Sequence, residues 1–276
     1  KFDRVMEAAQ RQNLKVMLRV GYTWDYYSGD NVLERYEKLL YDDGTKRAWI
    51  QYAKRLYERA AVHENFCGGF ITWEDFWNFA ENSVFYGSGL AGRKMASKCG
   101  YTQYVKEHYT LEELEEMYQD TFKTYEDVYL PDSLNTYSRK VFYQFYDDFL
   151  NKILAETQAV FPDLSMEVRL DIDPVKRPDG TLEGVFHDAT FTCGSSDFTS
   201  AMYSVAMGFE SNGQELSAAQ ALAGTGQNLD RLSAANGGKK LYVDQFLFTD
   251  NTPGFEQNAK LTESEKSAYL DGVADI

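Results

Sequence analysis

The chain has little cysteine, little proline and no long apolar run, and each shortage removes a class of protein. Three cysteines in 276 residues, Cys67, Cys99 and Cys193, are an odd number without metal-type spacing. They indicate neither a disulfide framework nor a zinc site, and a free Cys is commonly just a small buried apolar residue. No apolar stretch approaches the roughly 20 residues needed to cross a bilayer. The amphipathic start at Lys1 lacks a signal-peptide pattern, so any export signal or anchor is expected outside this chain. Positive charge is scarce, with 28 Lys and Arg against 43 Asp and Glu and a net charge of −15. Such a surface repels phosphate backbones and anionic lipid, which argues against nucleic-acid or membrane-surface binding and for a neutral or cationic substrate. Without repeats, low-complexity tracts or a Pro-rich linker, residues 1–276 are expected to form one domain.

What is present is material for a large core, including 20 Tyr and 18 Phe. Phe2, Val5, Met6 and Ala9 recur at helical spacing before a short apolar run from Leu14 to Val20. Trp49, Tyr52, Ala53, Leu56, Tyr57 and Ala60 mark a second helix within Lys46–Val62, with a strand at Gly68–Thr72 after it. Further on, the spacing predicts a helix over Leu134–Val160 and a strand over Ser165–Ile172, stopped by Pro174. A strand at Glu183–Phe191, a helix at Leu216–Ala234, a strand at Lys240–Phe248 and a helix at Leu261–Val273 complete the pattern.

Strands alternating with helices imply parallel pairing through right-handed crossovers, in a barrel or an open doubly wound sheet. No glycine-rich fingerprint follows any strand, so a dinucleotide-binding fold is disfavoured. About five strands can be counted where a closed barrel needs eight. The expected fold is therefore an α/β (β/α)8 TIM barrel, incomplete in this chain. Strands one, two and eight would be missing, or supplied by other segments of the same protein or by another chain.

In such a barrel the chemistry sits at the C-terminal ends of the strands. The first end offers Arg19, Tyr22 and Trp24; the second offers Trp73, Glu74 and Trp77 in Phe-Ile-Thr-Trp-Glu-Asp-Phe-Trp-Asn. The third offers Arg169, Asp171 and Asp173, the fourth His187, and the fifth Asp244 and Gln245. Glycoside hydrolysis uses two carboxyl groups flanking one bond, one of them held protonated. Apolar walls raise a carboxyl pKa by desolvating the charged form, and Glu74 lies among Trp73, Phe76 and Trp77. The blander reading makes Glu74 a helix cap. Asp171 can hold substrate hydroxyls, serve as the second carboxylate, or simply pair with Arg169, with which it shares strand parity. His187 can bind substrate or be structural. Asp244, flanked by apolar residues, needs a partner or a task, and its neighbour Gln245 has the opposite parity.

The acidic run Glu107–Asp120 reads as a solvated helical face, and the aromatics of Tyr137–Phe149 as core. No metal or organic cofactor is indicated. An enzyme using Asp171 and Asp173 with a divalent cation is a further alternative, which a chelator would expose.

The order helix, Leu-Lys-Val-Met-Leu-Arg-Val-Gly-Tyr, helix, Gly-Gly-Phe-Ile-Thr-Trp-Glu-Asp-Phe-Trp-Asn resembles the third and fourth βα units of the large clan of retaining (β/α)8 glycosidases. In that clan the fourth strand ends with an Asn-Glu pair whose Glu is acid/base, and the seventh carries the nucleophile, usually Glu. By this resemblance Glu74 is the acid/base, with Trp73 in place of the Asn, and Asp244 the nucleophile. Met166–Asp173 then resembles strand five, Val185–Phe191 strand six and Lys240–Phe248 strand seven. The resemblance implies cleavage of a polysaccharide or oligosaccharide, with retention favoured over inversion, in an extracellular or cell-surface protein. Tyr22, Trp24, Trp73 and Trp77 would stack on sugar rings, and Arg19, Asp171, His187 and Gln245 would hold hydroxyls. The departures at Trp73 and Asp244 leave a non-catalytic carbohydrate-binding barrel as the alternative.

Overall fold

A computed structural model describes residues 1–21, 42–72, 87–131, 136–169, 173–185, 198–204, 215–235, 238–247 and 260–276. Helix α1 (Phe2–Arg11) leads into strand β1 (Val16–Arg19). Helix α2 (Asp43–Ala60) starts three residues before the expected Lys46 because the Asp42 side chain accepts from the Thr45 amide at 2.7 Å, an N-cap that satisfies one of the unpaired first-turn donors. Strand β2 (Phe66–Thr72) follows. Three short helices come next, α3 (Leu90–Lys98), α4 (Tyr101–His108) and α5 (Leu111–Tyr118), then a single 3-10 turn at Tyr125–Asp127.

The long helix α6 (Ser138–Gln158) precedes strand β3 (Leu164–Arg169). Strands β4 (Asp173–Lys176) and β5 (Leu182–Val185) form a hairpin. Strand β6 (Phe198–Ser204), helix α7 (Ala218–Ala235), strand β7 (Lys240–Leu247) and helix α8 (Glu263–Val273) complete the described chain. None of the described helices is long and apolar enough to cross a membrane.

The main sheet is five-stranded and wholly parallel, in the order β1-β2-β3-β6-β7. This corrects the barrel expectation. Closure requires eight strands with the first hydrogen-bonded to the last, whereas among the described residues β1 and β7 are the two edges of an open sheet.

The strand expected at Glu183–Phe191 is also corrected, as is its identification with a sixth barrel strand. The described part of that segment, Leu182–Val185, pairs antiparallel with Asp173–Lys176 and stands apart from the parallel sheet. Its cause is the turn Arg177-Pro178-Asp179-Gly180-Thr181. The Asp179 carboxylate accepts from the Thr181 amide at 2.9 Å and from its hydroxyl at 2.6 Å, and Gly180 adopts φ +87°, the conformation that glycine tolerates without a Cβ clash. Pro174 therefore lies inside a short strand instead of ending a long one. The place between β3 and β7 is taken by Phe198–Ser204.

Helix α6 is the centre of the core. Val141, Phe142, Phe145, Phe149, Leu150, Ile153 and Leu154 are buried along it, as expected of aromatics at helical spacing. It packs on β3, α2, α4 and α5. Trp49 of α2 donates its indole N–H to the Thr157 hydroxyl at 2.7 Å, and Tyr57, Phe66 and Phe161 form a ring cluster with centroids 5.0–6.1 Å apart. Cys99 is buried and Cys67 exposed; Cys193 lies outside the described residues.

Candidate functional site

Because all five main strands run the same way, their C-terminal ends lie along one edge of the sheet, the edge where parallel α/β sheets bind ligands. Register orders that edge. Thr72 pairs with Glu167, Glu167 with Ser200 and Ser200 with Tyr242, giving one continuous row across β2, β3, β6 and β7. One step further lies the row Val168, Ala201, Val243, and beyond it Arg169, Met202, Gln245.

Asp244 falls where the register shifts. Ala201 opposes Val243 and the next residue, Met202, opposes Gln245, so β7 carries one residue more than β6 at this point and Asp244 is that residue. A bulge of this kind breaks strict alternation and re-aims the chain.

At the other end of the sheet, Arg19 is exposed as the last residue of β1 and pairs in register with Phe70 of β2. The chain leaves this strand through Gly21 at φ +97°, where a Cβ would stand 3.1 Å from the Trp49 ring. Tyr22 and Trp24 follow that turn and lie outside the described residues, as do Trp73, Glu74 and Trp77 after β2, Asp171 after β3, and His187 after β5. Backbone is described at Asp244 and Gln245, within β7. Asp173, the partner of Asp171 in the divalent-cation alternative, is the first residue of β4 and pairs with Val185 in the hairpin. Among the described residues no group of three His, Cys, Asp or Glu side chains is arranged to hold a metal ion.

One carboxylate that sequence reasoning passed over stands in the middle of the row. Glu167 is 1% exposed on the central strand, and Ser165, two residues earlier, is 2% exposed. Residues two apart on a strand share a face, so a polar pair is buried on one side of β3 while Leu164 and Met166 fill the other. The signal was available, since Glu167 has the same parity as Arg169 and Asp171.

Other ionised groups belong to the scaffold. Glu183 of β5 accepts from Lys140 at 2.6 Å and from Arg177 at 2.8 Å, and the Lys140 hydrogen bond chiefly holds its carboxyl below the ordinary range. Tyr109 is pushed up to about 12, mainly by burial and also by the charge of Glu113. Tyr104 is raised further, again first by burial. Comparison with protein-family models, with curated proteins and with solved structures returns no match.

Proposed function

We propose that the protein cleaves glycosidic bonds, with Glu74 as the acid/base and Asp244 as the second catalytic carboxylate. The observation that carries this reading is the register row. Thr72 and Tyr242 stand level in strands running the same way, and Glu74 and Asp244 each follow two residues later in the chain. The reading rests on this shared edge and on the residue types, and needs no closed barrel. Tyr22, Trp24, Trp73 and Trp77 supply aromatic faces for sugar rings. Arg19, Asp171, His187 and Gln245 hold hydroxyls, and the bulge at Asp244 supplies the local distortion that sheets often carry beside active sites.

Retention is the course that the glycosidase resemblance implies, and it needs carboxyl groups about 5–5.5 Å apart. Two features favour inversion as a second reading. Strands β2 and β7 are three intervals apart in the sheet, about 14 Å between backbones, and Asp is one methylene shorter than the Glu usual at the nucleophile position. Both lengthen the gap toward the roughly 6.5–9.5 Å of inverting pairs. The test is Glu74→Gln against a panel of oligosaccharides. Loss of turnover by about 10²–10⁴-fold, the usual worth of a general acid, with affinity kept supports hydrolysis. A wild type that binds but does not cleave supports a lectin-like role instead.

A further inference from the structure

The start of α3 and the chain around the Tyr125–Asp127 turn line an open cleft of about 360 Å³; it falls at the small end of ligand pockets, about 300–1,000 Å³. Arg93 of α3 reaches into it, brought there by close packing of the helix start. A Cβ on Gly92 would overlap the Gly87 carbonyl, so only glycine lets the incoming chain fold back so tightly over this turn. Tyr129 and Phe122 line the same cleft, their rings edge-on to one another at 5.9 Å.

Its carboxylates are engaged by the fold. Asp127 accepts at Oδ2 from the backbone amides of Lys123 and Thr124, at 3.2 and 3.1 Å. Asp120 accepts from the Thr121 amide at 2.8 Å and from the Tyr129 hydroxyl at 3.1 Å.

The cations are not matched in the same way. Arg93, whose side chain is 40% exposed, makes one long ion-paired hydrogen bond, Nη1 to Asp127 at 3.4 Å, while its Nε is buried and has no acceptor. Buried N–H groups are nearly always satisfied in native proteins, and a guanidinium presents five donors in a planar fork that fits oxyanions. Lys123 lines the same cleft, with Ser88 and Thr121 contributing hydroxyls.

We infer that this cleft binds the oxyanion of a sugar bearing a carboxylate or sulfate group, with Arg93 and Lys123 on the charge and Tyr129 beside the ring, a local exception to the neutral or cationic ligand that the net charge of −15 favours. The sugar half of the inference rests on the glycosidase reading; the oxyanion half does not.

Calorimetric titration of the whole chain with glucuronate, glucose 6-sulfate, glucose and inorganic sulfate tests both halves. The inference expects at least one charged sugar to bind about 10-fold or more tighter than glucose and than inorganic sulfate, in keeping with charge-assisted, bidentate recognition. Arg93→Met should weaken that binding about 10-fold or more, and Lys123→Met by less. Glu74→Gln should leave it unchanged, which separates failure here from failure of the hydrolase reading. Should Arg93→Met not fold, Arg93→Lys keeps the charge, loses the fork and must still bind more weakly. Equal binding of glucose overturns the oxyanion half, equal binding of inorganic sulfate overturns the sugar half, and full affinity in the Arg93 variants overturns the site.

Discussion

Phe161 lies so close against Gly69 that a Cβ on that glycine would stand 2.8 Å from the ring's Cζ and 2.9 Å from the Leu18 carbonyl oxygen. This contact seats β2, the strand that leads to Glu74, between β1 and the aromatic cluster under α2. One obstacle is backbone, so the site cannot yield by a simple rotamer change. Gly69→Ala should therefore destabilise the protein by about 1–3 kcal/mol, the usual cost of overpacking, as read by urea denaturation. Gly224, in the interior of α7, has nothing within 4 Å of an added Cβ. Gly224→Ala should stabilise by about 0.5–1 kcal/mol through helix propensity.

Alkaline stability follows from two half-buried tyrosines. Tyr109 is raised to about 12 and Tyr104 further, from an ordinary value of 10.0, chiefly by burial. A raised folded pKa gives stability that is fully present below the unfolded value and lost as pH climbs through the folded one. Thermal midpoints should thus hold steady up to pH 10 and fall between about 10 and 12. Tyr109→Phe should flatten part of that fall.

Glu183 has the opposite sign. Its carboxyl is depressed below the ordinary 4.5 by Lys140 first and by Arg177, so its contribution is present above that value and lost as pH falls through the lower, folded one. Glu183→Gln should lower the thermal midpoint at pH 7 by a few degrees and make little difference in strong acid. A midpoint loss that stays constant across that range would contradict the assigned ion pairs.

Glu167 carries a prediction of another kind. A carboxylate buried at the centre of a parallel sheet is costly unless its surroundings compensate. Glu167→Ala should cost about 2–4 kcal/mol by loss of side-chain packing and disruption of the polar interior. Glu167→Gln, which keeps the shape, should cost less.

The longer helices and the strands with strong apolar runs were legible from periodicity, whereas the short helices α3 and α4 were not expected from the sequence. The stripe from Trp49 to Ala60 and the aromatics of α6 each have one face to bury, and that alone identifies them. The start of α2 was not legible in this way: the Asp42 cap on the Thr45 amide places it at Asp43, three residues before the expected Lys46.

What was not legible depends on pairing. Phe198-Thr-Ser-Ala-Met-Tyr-Ser has weak alternation and small polar residues, and becomes a strand because β3 and β7 flank it. Glu183–Phe191 looks like a sheet strand by composition, yet the Pro178-Asp179-Gly180 turn binds its start to Asp173–Lys176 first. The bulge at Asp244 is likewise a property of two strands together. Of the candidate site, Arg19, Asp244 and Gln245 were legible as strand residues, Arg19 at the end of β1 and the other two inside β7. Glu167 was overlooked because attention to strand tips passed over a carboxylate inside one.

The central claim is that Glu74 and Asp244 act on one bond, and the most direct measurement is the separation of their carboxyl carbons in a crystal structure with a bound oligosaccharide. Separations of about 5–9.5 Å with the glycosidic oxygen between them are the predicted result, the lower end for retention and the upper for inversion. Carboxyl groups further apart than about 12 Å, or a sugar bound away from both, would contradict the account.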